Sequence, residues 1–333
     1  MPEIRKDPVF GRWVIVASDR SLRPNEFRNL ERGIQEPSDC AFCPGNESQT
    51  PPALHVIPQE NKPGAWKIRA VQNKYPALIS NEPTLESADG IYHKMNGAGL
   101  HEVVIETPSH FQQMEDMDAR HIKEVFEVYV SRINEMKKEA GIKYVMVFKN
   151  HGRNAGATLV HPHSQIIGMP MVPIRVVQEI DGAENYFMER NKCVFCDIAD
   201  EERKTGKRIV GENREFMALE PYASRFSFET WIIPKQHSCH FETTSPESAG
   251  YLASIVKEIL GKLRRSLEDL SYNLVIHTMP VHDPAVKHYH WHIEIMPKLS
   301  FVAGFEWGTG FYINAVSPED AAHTLNSGKK YGN

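Results

Sequence analysis

A 51-residue interval occurs twice in this chain, and it restricts the architecture more than any other feature. His161 lies 51 positions after His110, and His288 lies 51 positions after His237. The 127-residue shift that carries the first pair onto the second also carries His163 onto His290, Gln165 onto His292 and Asn150 onto His277. Met169-Pro170 falls on Met296-Pro297 under the same shift. Each half opens with a cysteine pair, Cys40-Ala41-Phe42-Cys43 or Cys193-Val194-Phe195-Cys196. An apolar strand follows, from Leu100 to Glu106 or from Thr230 to Ile233, and runs into a proline and then a histidine. Next comes a helix. Ile122, Val125, Phe126, Tyr129, Ile133 and Met136 recur at helical spacing from about residue 117, with Gly141 as the stop. Leu252, Ile255, Val256, Ile259, Leu263 and Leu267 do so from about residue 246. A second apolar strand then leads into a histidine-rich one. One order kept twice argues for two copies of one unit, residues 1–182 and 183–333.

The first histidine strand carries the chemistry. In His161-Pro162-His163-Ser164-Gln165, residues two apart share a face, so two imidazoles and an amide emerge in a row. That row builds a poor core but suits the holding and attacking of an anion. A neutral imidazole with one nitrogen bonded to a backbone carbonyl is a nucleophile toward phosphorus near pH 7, which nominates His163. Gln165 is placed to donate to non-bridging oxygens as charge builds. Gly152 and Gly156, in the loop after Asn150, allow backbone to approach a phosphate closely. No P-loop is involved, because the Gly-Lys-Ser/Thr ending is absent.

A net charge of −5 excludes a basic field for nucleic acid, so phosphate must be met by local arginines, amides and histidines. The N-terminal residues contain no apolar targeting core, and no run reaches membrane-spanning length. A soluble cytosolic protein with no membrane partner is expected. In that setting the two C-x-x-C pairs read as metal knuckles rather than disulfides, and Cys239 as a small buried hydrophobe. Two cysteines, the histidine after the strand and the first histidine of the His-x-His strand complete a tetrahedral zinc set with no open position. The expected sites are Cys40, Cys43, His110 and His161, and Cys193, Cys196, His237 and His288, giving two zinc ions per chain. A redox role is weaker, because neither pair is read as opening a helix in a thioredoxin-like context.

At these residues the sequence resembles the galactose-1-phosphate uridylyltransferase family, the branch of the histidine-triad superfamily with two fused halves. The resemblance covers nearly the whole chain. It rests on the strand from His161 to Gln165, the first cysteine pair, Pro108-Ser109-His110, Arg20 and Arg23 with Pro24, and the Asn150 loop. It rests also on His288-Tyr289-His290-Trp291-His292 and Gly304-Phe305-Glu306. It implies an α+β fold of two tandem histidine-triad units, with antiparallel sheets and packed helices, and a homodimer. The implied chemistry is double displacement. His163 attacks the α-phosphorus of an NDP-sugar and expels the sugar 1-phosphate, and a second phosphate or sugar phosphate then takes the nucleotidyl group. By position, Arg20 and Arg23 would grip phosphate, Asn73 and Asn150 would contact nucleotide or phosphate, and Gln165 would steady the intermediate. Phe305 and Glu306 would meet the sugar. The further, non-zinc metal site of some relatives maps to Glu179, His277 and His292, with Glu294 where a histidine is expected. The second cysteine pair resembles the two-zinc branch, which includes the plant-type ADP-glucose phosphorylase. The expected substrates are UDP-glucose and galactose 1-phosphate; the alternatives are an ADP-sugar or dinucleoside-polyphosphate phosphorylase and a non-catalytic nucleotide-binding module. The rival nucleophile is His290, the middle member of the second histidine run.

Overall fold

The computed structural model describes residues 2–9, 12–17, 36–79 and 84–331. The chain begins with strands β1 (Glu3–Lys6) and β2 (Trp13–Val16). The proline-rich stretch after the first cysteine pair contains an edge strand, β3 (Ala53–Pro58), paired to β4 (Trp66–Gln72). Leu54 and Val56 of β3 are both exposed, so no buried stripe marked it in the sequence. β5 (Glu86–Asp89), β6 (Tyr92–Asn96) and β7 (Leu100–Ile105) precede α1 (Ala119–Met136). The Asp118 carboxylate caps α1 by accepting from the His121 N–H at 2.8 Å, worth about 1 kcal/mol. β8 (Tyr144–His151) and β9 (His163–Met169) complete the first half. Helix α2 (Ile174–Arg190) runs across residues 182 and 183, and α3 (Val194–Thr205) follows.

The second half supplies β10 (Ile209–Glu212), β11 (Phe216–Leu219), β12 (Thr230–Pro234), α4 (Pro246–Ser266), β13 (Tyr272–His277) and β14 (His292–Pro297). Ser245 caps α4, and Pro246 opens it where no backbone donor is needed. Two short helices, α5 (Gly304–Thr309) and α6 (Pro318–Ser327), end the described chain. No helix among the described residues is long and apolar enough to cross a membrane.

Ten strands form one antiparallel sheet in the order β10-β11-β12-β14-β13-β8-β9-β7-β4-β3. The order is a palindrome, as two related units meeting edge to edge would give. The halves therefore share one sheet instead of keeping two. The seam is β8 against β13, with Asn150 opposite Asn273 and Lys149 opposite Leu274. β1, β2, β5 and β6 make a separate small sheet.

Strand alternation assigns the two faces. Val104, Val145, Val147, Ile166, Leu274, Ile276, Ile293 and Ile295 share one buried cluster with the apolar stripes of α1 and α4. Each such side chain contributes roughly 1.5–3 kcal/mol by leaving water. On the opposite face, Val71, Val103 and Ile105 lie under the Cys40–Cys43 loop, and Met217, Leu219 and Ile233 lie under α2 and α3. Every metal-type cluster described below is on that second face.

Candidate active site and metal centres

A tight turn presents the first cysteine pair, with the Cys43 N–H donating to the Cys40 carbonyl at 3.1 Å. Cys43 Sγ lies 3.2 Å from His110 Nδ1 and 3.4 Å from His161 Nδ1, and Cys40 Sγ lies 3.7 Å from His161 Nδ1. All four side chains are buried. The His161 Nε2–H donates to the Thr107 carbonyl at 2.7 Å, which leaves the Nδ1 lone pair facing the thiols. Burial draws the His161 pKa down to about 4, against the opposing pull of that carbonyl, so the ring stays neutral as a ligand must. Burial, with Cys40 beside it, pushes the Cys43 thiol up to about 11. Two buried sulfurs and two imidazoles aimed at one point fit a dication that would ionise the thiols. The sequence-derived set Cys40, Cys43, His110 and His161 is the set brought together here.

His163 follows directly, at the first position of β9. Its Nδ1–H donates to the His161 carbonyl at 2.8 Å, so in the neutral ring the lone pair resides on Nε2. Phe42, between the two cysteines, packs edge-on against the ring with centroids 5.4 Å apart. Two amides flank it. Gln165 Oε1 accepts from His101 Nε2 at 3.0 Å, a donor because His101 Nδ1 itself accepts from the Ala77 N–H. Asn150 Oδ1 accepts from Asn273 Nδ2 at 2.8 Å. In both amides the oxygen is the engaged atom, which leaves the NH₂ groups as the donors presented. Asn73 Nδ2 lies 3.1 Å from the same His101 nitrogen, so Asn73 belongs to this constellation.

Phe42 and His101 are the participants that sequence reasoning missed. Nothing in the sequence alone sets His101 apart from the other histidines. What sets it apart is its position in a buried strand, in register with Ile167 on β9 and one alternation away from Gln165.

The second cluster consists of Cys193, Cys196, His237 and His290, so the expectation of His288 is corrected. Cys196 Sγ lies 3.6 Å from both His237 Nδ1 and His290 Nδ1. Register is the physical reason. The 127-residue shift holds from β8 to β13, but His292 lies 15 positions after His277 where His163 lies 13 after Asn150, two more. His292 therefore takes the place of His163, and its Nδ1 meets the His290 carbonyl at 3.2 Å. Cys193 stands at the N-cap position of α3 without a side-chain capping bond, so the second pair does open a helix. The hydrogen bond from Cys196 draws the Cys193 thiol down to about 4, and the same contact drives Cys196 up. The second pair likewise fits a cation. This set is more open than the first, with His237 exposed.

His290 is thus at a ligand position, and its rivalry with His163 passes to His292. That ring is 1% exposed, stacks on His277 with centroids 4.8 Å apart and faces Glu179 Oε1 at 3.7 Å. Glu179, His277 and His292 form a third cluster able to hold a metal ion. The group is already knit by charge. His277 lies 2.9 Å from Glu179 and 3.3 Å from Glu294, and Glu294 lies 2.6 Å from Arg225. Burial opposes protonation of His277, but the two carboxylates override it and raise its pKa to about 10. His163 is also buried, at 7% exposure, and packs edge-on against Phe42.

Arg20 and Arg23 lie outside the described residues. Phe305 and Glu306 stand on α5, where Phe305 is exposed and Glu306 caps its own helix by accepting from the Ala303 N–H at 3.1 Å. Gly152 has φ near +79°, and a Cβ there would run into Ser271, so packing against the second half dictates this glycine. Gly156, also at positive φ, has open space around it.

These features can be set beside known proteins. The family model described as galactose-1-phosphate uridyl transferase, N-terminal domain, matches residues 1–173. A second, described as a domain of unknown function, matches residues 98–327. An ADP-glucose phosphorylase of Arabidopsis thaliana is 40% identical over 330 residues, covering 97% of this chain and 92% of that protein. A galactose-1-phosphate uridylyltransferase of Thermotoga maritima is 29% identical, covering 98% of both. The crystal structure of an Arabidopsis thaliana ADP-glucose phosphorylase with bound ADP-glucose superimposes with a TM-score of 0.77 at 38% identity, covering 98% of this chain and 99% of that one. With a histidine strand, two flanking amides and a Cys2His2 cluster in one half of a duplicated sheet, the chain belongs to the galactose-1-phosphate uridylyltransferase family of nucleotidyltransferases.

Proposed function

We propose that the protein transfers a nucleotidyl group from an NDP-sugar by way of a covalent adduct on His163 Nε2. The observation that carries this is the hydrogen bond from His163 Nδ1 to the His161 carbonyl, which fixes the tautomer and the aim of the ring. In the first step Nε2 bonds to the α-phosphorus, and the bridging oxygen leaves with the sugar 1-phosphate. Gln165 and Asn150 turn their NH₂ groups toward the phosphoryl oxygens as charge gathers there, and losing one such donor typically costs roughly a hundred- to a thousandfold in rate. In the second step an acceptor phosphate oxygen displaces the imidazole. Arg20 and Arg23 are assigned to grip phosphate, and Phe305 and Glu306 to the sugar.

For the donor, the 40% identity to an ADP-glucose phosphorylase over nearly the whole chain favours ADP-glucose with inorganic phosphate. UDP-glucose with galactose 1-phosphate, the first expectation from sequence, becomes the second reading, supported by the 29% relative. Labelled ADP-glucose and UDP-glucose, each mixed with phosphate or galactose 1-phosphate, should separate them. ADP and glucose 1-phosphate are the expected products, from the first donor with phosphate. Turnover confined to UDP-glucose and galactose 1-phosphate would restore the other assignment, and no adduct with either donor would sink nucleotidyl transfer altogether.

Two zinc ions per chain complete the proposal, one in each Cys2His2 set, where such a closed tetrahedron serves structure. Metal analysis should return near two per chain, falling to near one in His290→Ala and staying near two in His288→Ala. A drop in the second variant alone would reinstate His288. Phe301, Phe305, Trp307 and Phe311, all exposed around α5, support a homodimeric assembly. Thiols committed to metal suit a reducing, cytosolic setting.

A further inference from the structure

Behind the histidine strand, on the face covered by α1, lies a buried ion pair that the proposed reaction does not use. Lys149 Nζ is 2.7 Å from Glu106 Oε2, and the two side chains are 2% and 0% exposed. The same ammonium donates to the His163 carbonyl at 3.2 Å. The backbone N–H of Glu106 donates to the Pro162 carbonyl at 3.2 Å. Tyr129 of α1 closes the network, donating to Glu106 Oε1 at 3.1 Å with its hydroxyl 2.6 Å from Ser164 Oγ. Desolvating such a pair is expensive, and well-packed apolar side chains often do as well or better. The second half has those side chains. With His292 matched to His163, Ser164 corresponds to Ile293 and Lys149 to its partner Ile276. Glu106 corresponds to Pro234 on β12, and Tyr129, eleven residues after its cap, to Val256. All four replacements are buried.

We propose that Lys149, Glu106, Tyr129 and Ser164 are positioning residues that lock β9 in the register presenting His163 to substrate. A two-residue slip of a strand leaves every side chain on its own face, so apolar packing resists it weakly. In β9 that slip would carry His161 into the place of His163, or His163 into the ligand position, and either way empty the nucleophile's place. Side-chain partners of fixed reach, Lys149 on the His163 carbonyl and Tyr129 on the Ser164 hydroxyl, forbid it. The inference rests on His163 being the nucleophile.

The test is the double variant Lys149→Met/Glu106→Gln, which removes both charges and keeps an acceptor for Tyr129. Its thermal midpoint and metal content should stay near wild type, because a neutral pair leaves no uncompensated buried charge. Its single-turnover rate of adduct formation should fall roughly tenfold to a hundredfold with the donor's affinity unchanged, as misplacement of a reacting group does. The His163 ring signals in ¹H–¹⁵N spectra, assigned with His163→Gln, should shift or split. Wild-type ring signals in the double variant overturn the proposal, as does an adduct rate within about twofold of wild type. If wild-type protein forms no adduct, the functional reading fails separately, and the ring spectra still decide on Lys149.

Discussion

His163→Gly is expected to lower turnover by at least about 10⁴-fold, since removing a covalent nucleophile leaves only binding and electrostatic assistance. Metal content and thermal midpoint should stay near those of the wild-type protein. The imidazole bonds the His161 carbonyl and packs edge-on against Phe42, and it is not one of the four residues of the first cluster. Mass spectrometry after mixing with donor should show the gain of one nucleoside monophosphate on wild-type protein and none on the variant. Turnover that survives the change would move the chemistry to His292. The stacking of that ring on His277 and its place beside Glu179 argue against this outcome.

Cys43→Ser should have the largest structural effect. Its sulfur lies closest to both imidazoles of the first cluster, and a serine hydroxyl stays protonated where a thiolate is required. Structural zinc contributes on the order of ten kcal/mol in small peptides, and less where the fold is preformed. A loss of about 3–5 kcal/mol corresponds here to a midpoint lower by roughly 5–15 °C. One metal per chain should be lost and adduct formation should fall with it, because His161 would no longer fix the carbonyl that orients His163. Cys196→Ser should act more mildly, at a set whose His237 is exposed. Unchanged metal content in Cys43→Ser would remove the first site from the account.

Much of this was legible in the sequence, and the failures have specific physical causes. The stripes of α1 and α4 were readable because six apolar residues at helical spacing have few other uses. The first cluster was readable because two cysteines and two histidines of the required types lay at fixed places in a repeat. His288 was chosen over His290 because a fixed spacing cannot register two added positions, and alternation is blind to an even slip. Met296-Pro297 seemed to anchor the shift, but the pairing of His277 with His292 shows that anchor to be coincidental. His101 looked ordinary because its role depends on Gln165, a neighbour only across the sheet. Lys149 was the overlooked signal, a lone charge inside the apolar strand from Tyr144 to His151.

The seam between β8 and β13 gives the second half a task in the first. Strand β8 carries Asn150 and Lys149, one on each side of the sheet, and its outer edge would otherwise be a bare row of amides and carbonyls. The duplicate splints that edge, and through Asn273 it also turns the Asn150 amide. Most side chains of the second half can therefore change without loss to the first centre, provided Asn273 and the backbone of β13 go on bracing β8.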